Sequence, residues 1–307
     1  MCYLRSLYHI YLNFHLKITF FCENTAFYDK SYVILKDKEK IMTSETLFNL
    51  IMTTGQKNPA ILMIGSEGSR NDPTVKQDQY QDYDITYFVS DADFPTFEQF
   101  DRNHFGELMI QQILPEKNQW CWLMQFMDGN RLDLKIQPVS SVPAYLAEDT
   151  LNTILLDKTG VCTNLPATTD RTHWIQHPTQ REFDACVTEF FWVSTYVLKG
   201  ILRGELLYAN YFFGTIVREE LYRLLSWRVG KDTDFSLSVG KAHKRLPDYF
   251  DGLECLYDLS DLTRTGLALS TALHMATELL PSLSHDLQLT YDVATVDRAT
   301  DYILQKL

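Results

Sequence analysis

The chain changes hydrophobic rhythm twice. Behind Thr43-Ser44-Glu45, which has the form of a helix start, Leu47, Phe48 and Ile51 recur at helical spacing. From residue 60 to about 160 the apolar runs become short, β-branched and aromatic. Ala60 to Ile64 stops at a glycine, and Asp84 to Val89 reads as a strand. Trp120 to Met127 and Arg131 to Val139 flank Asp128-Gly129-Asn130, a strong hairpin signal, and Ile154-Leu155-Leu156 adds a further strand. After about residue 170 the helical period returns. Thr179-Gln180-Arg181-Glu182 has the form of a capping box ahead of a long segment carrying Phe183, Val187, Phe190, Phe191 and Val193. Further helices are predicted at about 205–228, 252–280 and 288–306.

This order predicts an α+β fold: a small mixed sheet with flanking helices over residues 42–170, followed by an all-α helical bundle over 171–307. Residues 1–41 are crowded with Tyr and Phe and show neither period. They are expected to be an N-terminal extension, with Met42 as the start of the organised chain.

Composition narrows the possible roles. The 307 residues are 45% hydrophobic and 22% charged, enough for a large core and about two domains. A net charge of −12 disfavours nucleic acid as a partner and is compatible with a cationic small molecule. The 6 cysteines are scattered without zinc spacing, which suits reduced thiols in the cytoplasm. The sequence shows no run of roughly 18 uninterrupted apolar residues, so no membrane span is expected. A monomer or weak homodimer is the expected state.

Three short elements carry chemistry together. Gly65-Ser66-Glu67-Gly68-Ser69-Arg70 ends the first strand, Asp82-Tyr83-Asp84 opens the next, and Asp133 lies within Arg131-Leu132-Asp133-Leu134-Lys135. Strand alternation puts Asp82 and Asp84 on one face, about 7 Å apart, where they repel unless a cation lies between them. Asp133 interrupts an apolar alternation; it either joins that pair or is a buried acid paired with Arg131 or Lys135. Three converging carboxylates suit Mg²⁺, and glycine with serine at a strand end suits phosphate capture. Phosphoryl-type transfer needs little beyond positioning, charge neutralisation and a base.

Glu67-Gly68-Ser69-Arg70, followed by Tyr80-Gln81-Asp82-Tyr83-Asp84-Ile85-Thr86-Tyr87-Phe88-Val89-Ser90-Asp91, resembles the active-site stretch of the aminoglycoside 6-adenylyltransferases, or streptomycin adenylyltransferases. These share the nucleotidyltransferase fold of DNA polymerase β. Asp128 to Leu134 is similar to the family's third-carboxylate strand. Glu189 to Val193, Tyr196 to Gly200, Leu224 to Trp227 and Ser238 to Lys241 are similar to its helical half. The likeness runs from about Met42 to the C-terminus.

The resemblance implies Mg²⁺-dependent transfer of AMP from ATP to an aminoglycoside hydroxyl, the streptomycin 6-hydroxyl first, with pyrophosphate leaving. It implies that Asp82 and Asp84 bind the metal, and that Asp133 either completes that site or takes the proton of the attacking hydroxyl. Gly68, Ser69 and Arg70 are expected at the ATP phosphates, with Lys199 and Lys241 balancing the triphosphate. Asp184, Glu189 and Trp192 are candidates for the cationic drug. Another small alcohol or a protein as acceptor, or nucleotide binding without turnover, would use the same catalytic face.

Overall fold

The computed structural model describes residues 42–116 and 119–307; the expected extension at 1–41 lies outside the described residues. α1 (Ser44–Lys57) opens with Thr43 as its cap, whose side chain accepts from the Thr46 amide. β1 (Ile61–Glu67) follows, then β2 (Tyr83–Val89), β3 (Leu108–Glu116), β4 (Gln119–Phe126) and β5 (Arg131–Pro138). A short α2 (Val142–Glu148) leads into β6 (Thr153–Asp157). The six strands form one sheet in the order β3-β4-β5-β2-β1-β6.

β2 and β5 are parallel neighbours, and the other pairs are antiparallel. Alternation then separates two faces. Tyr83, Ile85, Tyr87, Leu132, Leu134 and Ile136 turn inward and join Leu47 and Ile51 of α1 in a buried core. On the opposite face α2 covers one end, where Tyr145 packs edge-on against Phe88 at 5.0 Å. The other end of that face carries Asp84 and Asp133.

β3 has no counterpart among the predicted strands. Its sequence, Leu-Met-Ile-Gln-Gln-Ile-Leu-Pro-Glu, lacks a clean period, and as an edge strand it leaves Met109, Ile110 and Ile113 exposed.

The remainder is helical: α3 (Gln180–Arg203), α4 (Leu206–Phe212), α5 (Arg218–Asp232), α6 (Leu262–Leu287) and α7 (Val293–Leu304). The Thr179 capping box forms as the sequence predicts, with both reciprocal bonds present. The single helix predicted at 205–228 is divided into α4 and α5 by a wider turn at Phe213–Val217. The helix predicted at 252–280 begins only at Leu262, after a short turn at Leu253–Tyr257. A second buried core is built from these helices and the segment between α5 and α6, centred on Phe183, Phe190, Phe213, Leu221, Leu269 and Leu280. By length and composition α3 is apolar enough to cross a membrane, but half of its apolar stretch is buried within this core.

Candidate active site

The site starts where β1 runs out. Gly68 has φ +71 and opens a tight turn, Gly68–Asn71. A Cβ at this position would fall 2.5 Å from Asp84 Oδ2. Only glycine lets the backbone lie against that carboxylate in this conformation. Gln81 reaches back to the same turn, donating through Nε2 to the Ser69 carbonyl and hydroxyl at 3.3 Å.

Asp84 and Asp133 are direct partners in the parallel β2–β5 register. Asp82 stands immediately before β2, two residues from Asp84 and therefore on its face. The three acids read from the sequence are thus gathered at one sheet end. Of the two pairings open to Asp133, the structure selects Arg131. Its Nε and Nη2 donate to the two Asp133 oxygens at 3.0 and 2.9 Å, and Nε also lies 3.4 Å from Asp82 Oδ2.

Lys135 turns elsewhere, donating to Glu67 Oε2 at 2.6 Å, while Thr86 donates to Glu67 Oε1 at 2.6 Å. Glu67 is a fourth acid of the site that sequence reasoning passed over. It is the register partner of Asp84, and its signal was its place directly before Gly68.

These neighbours set the charge states. Burial, then repulsion from Asp133, Glu67 and Asp82, pushes the Asp84 carboxyl up to about 6 against the pull of Lys135. Asp82 is also raised, first by burial and then by Asp133, against Arg131, Arg70 and Lys241. A divalent cation would oppose both upward shifts, so the donor set fits magnesium chemically. Among the described residues no three His, Cys, Asp or Glu groups already stand at metal-holding distance. The gap between Asp82 and Asp133 is spanned by Arg131.

Arg70, expected at a phosphate, is instead held by the loop that carries Asp82. Its Nε donates to the Asp82 carbonyl at 2.8 Å and its Nη2 to the Gln81 carbonyl at 2.6 Å, with the guanidinium 3.7 Å above the Tyr83 ring. It braces the carboxylate segment from below.

The helical candidates separate into three groups. Lys241 is near enough for its charge to act on Asp82. It belongs to a stretch in which Asp234, Phe235, Ala242 and His243 all adopt positive φ, an accumulation of strain typical of functional segments. Asp184 and Trp192 line a cavity of about 360 Å³ between α3 and α7, together with Phe191, Tyr291 and Asp292. Trp192, which its apolar stripe suggested could be core, is 60% exposed. Glu189 and Lys199 are exposed on α3 and do not line that cavity. Lys199 lies 5.2 Å from the Tyr196 ring.

A family model described as streptomycin adenylyltransferase matches residues 29–306, beginning ahead of Met42, where the likeness was expected to start. An aminoglycoside 6-adenylyltransferase from Staphylococcus aureus is 35% identical over 222 residues, covering 69% of this chain and 78% of the relative. One from Bacillus subtilis (strain 168) is 34% identical over 223 residues, covering 69% and 78%. A crystal structure of an aminoglycoside 6-adenyltransferase from Bacillus subtilis matches with 28% identity over 85% of this chain and 97% of that one, at a TM-score of 0.43.

Proposed function

Because this chain belongs to the streptomycin adenylyltransferase family of nucleotidyltransferase enzymes, we propose that it transfers AMP from ATP to a hydroxyl of an aminoglycoside, streptomycin first and at its 6-hydroxyl. Pyrophosphate is the second product. The observation that carries this reading is the side-by-side placement of Asp84 and Asp133, with Asp82 on the same face and the Gly68 turn pressed against Asp84.

Each residue then has a distinct task. The amides of the Gly68-Ser69 turn and the Ser69 hydroxyl offer donors to phosphate oxygens. Asp82, Asp84 and Asp133 would hold magnesium, which when bound neutralises charge developing on the α-phosphate. Asp133, less exposed than Asp82 at 13% against 36% for the side chains, either completes that metal site or takes the proton of the attacking acceptor hydroxyl. Lys241 adds a positive charge near Asp82, suited to the departing pyrophosphate.

We further assign residues 42–170 as the catalytic domain and 171–307 as the acceptor domain. The separation of the two buried cores supports this division. The acidic and aromatic lining of the α3–α7 cavity, Asp184 with Trp192, Tyr291 and Asp292, supports recognition of a cationic drug there.

The deciding experiment measures pyrophosphate release from MgATP with streptomycin, spectinomycin, kanamycin or no acceptor. Release with streptomycin alone, and a product heavier by one AMP, is the expected result. Folded protein that releases none with any of them would direct the search to another acceptor or to a binding role.

A further inference from the structure

The gap between Asp82 and Asp133 is filled by one of the protein's own side chains. A single nitrogen, Arg131 Nε, lies 3.0 Å from Asp133 Oδ1 and 3.4 Å from Asp82 Oδ2. Magnesium bound by the same two carboxylates must sit roughly 2.0–2.1 Å from an oxygen of each. A guanidinium and a metal ion therefore exclude each other from this gap.

The arrangement is also able to open. The Arg131 side chain is 39% exposed, and its tightest partner, Asp133, is only two residues away on the same strand. It also lines an open groove of about 380 Å³ with Ile110, Gln112, Leu123 and Gln125 of β3 and β4. That groove, which Arg131 already borders, offers the guanidinium room to move aside.

We propose that Arg131 is a resident counter-ion of the active site: it holds Asp82 and Asp133 together when no metal is bound and must be displaced by the incoming cation. It thereby sets the metal affinity of the enzyme. The proposal rests on the reading of Asp82, Asp84 and Asp133 as the metal site. Neighbouring cations do not take this role. Lys135 is engaged by Glu67 at 2.6 Å, and Lys241 acts on Asp82 through its charge.

The test is Mn²⁺ binding to the full chain without nucleotide, followed by electron paramagnetic resonance. It compares wild type, Arg131→Gln, Lys241→Gln and Asp84→Asn. Removing a competing occupant should tighten Mn²⁺ binding by about tenfold in Arg131→Gln, whereas removing a nearby charge that does not fill the gap, in Lys241→Gln, should change it by no more than about threefold. The metal-free melting temperature of Arg131→Gln should fall and be restored by Mn²⁺.

Unchanged or weaker binding in Arg131→Gln overturns the proposal. So does equal tightening in both variants, which would reduce Arg131 to a contributor to the general field. If Arg131→Gln does not fold, Arg131→Lys keeps the charge but loses the fork on Asp133, and it should bind Mn²⁺ more tightly than wild type. Absence of binding in wild type and Asp84→Asn alike would overturn the metal reading, and this inference with it; Arg131→Gln matching wild type while Asp84→Asn loses binding would overturn the inference alone.

Discussion

Asp84 is the residue on which the electrostatic strain of the site concentrates. Its carboxyl is raised from 3.8 to about 6, chiefly by burial and then by three acidic neighbours. The folded chain therefore binds a proton that the unfolded chain releases more readily. Stability from this group is complete below about pH 4 and is lost as pH rises toward about 6. In EDTA, wild-type stability should fall across that window by about 2 kcal/mol, and Asp84→Asn should flatten the slope. Thermal melts from pH 4 to 7 measure this. The same variant should lose turnover by roughly 10³-fold or more, since a neutral amide cannot replace a carboxylate beside the metal.

Gly68 tests the geometry instead of the charge. A Cβ there would be forced into a left-handed conformation and would meet Asp84 Oδ2 at 2.5 Å. Gly129 has φ +91 but nothing within 4 Å of the position of a Cβ. Both Gly68→Ala and Gly129→Ala should lose about 1 kcal/mol through backbone strain. Only Gly68→Ala should also lose activity, because the methyl group must move the carboxylate. Paired denaturant curves and initial rates separate the two effects.

At the scale of elements, the helices follow local rules that are independent of the chemistry. The reciprocal Thr179–Glu182 box starts α3 at an exposed helix end. Thr179→Ala should lower stability by about 1 kcal/mol and leave kcat and KM unchanged, as measured by melting and steady-state assay. Those local rules also explain which elements were legible beforehand. α1, the β4–β5 hairpin and the start of α3 were readable because their caps, turn residues and periods lie within a few residues of one another. β3 was not, because an edge strand with one neighbour need not alternate cleanly. The break between α4 and α5 was also hidden, since Phe212 to Val217 keeps an apolar pattern through the wider turn.

For the molecule as a whole, the question is how the helical half bears on a site built from the sheet. The segment at the sheet edge is tied by Thr168 donating to the Asn71 carbonyl at 2.6 Å and by His173 meeting Asp149 at 2.7 Å. From beyond this connection the exposed Lys241, next to the positive-φ residues Ala242 and His243, acts on Asp82 through its charge. Lys241→Ala should reduce kcat/KM for ATP by roughly tenfold with the melting temperature nearly unchanged, because a surface lysine contributes to binding and little to folding. A fall in stability with ATP kinetics intact would instead make Lys241 a structural link.

The sequence by itself determined which residues could share a face. Periods of 2 and 3.6 are local, so Asp82 and Asp84 had to point together, and the acids had to stand opposite the buried Tyr83, Ile85, Leu132 and Leu134. It also contained the family likeness, because the Gln81 to Tyr87 stretch is contiguous. Tertiary structure alone decided which strand lies beside which, since pairing is fixed by packing between distant segments and not by the period of either. That choice set Asp133 against Asp84 in parallel register and joined Lys135 of β5 to Glu67 of β1 across the intervening strand. It also brought Asp82 within reach of Arg131, a contact between distant segments that no local pattern could reveal.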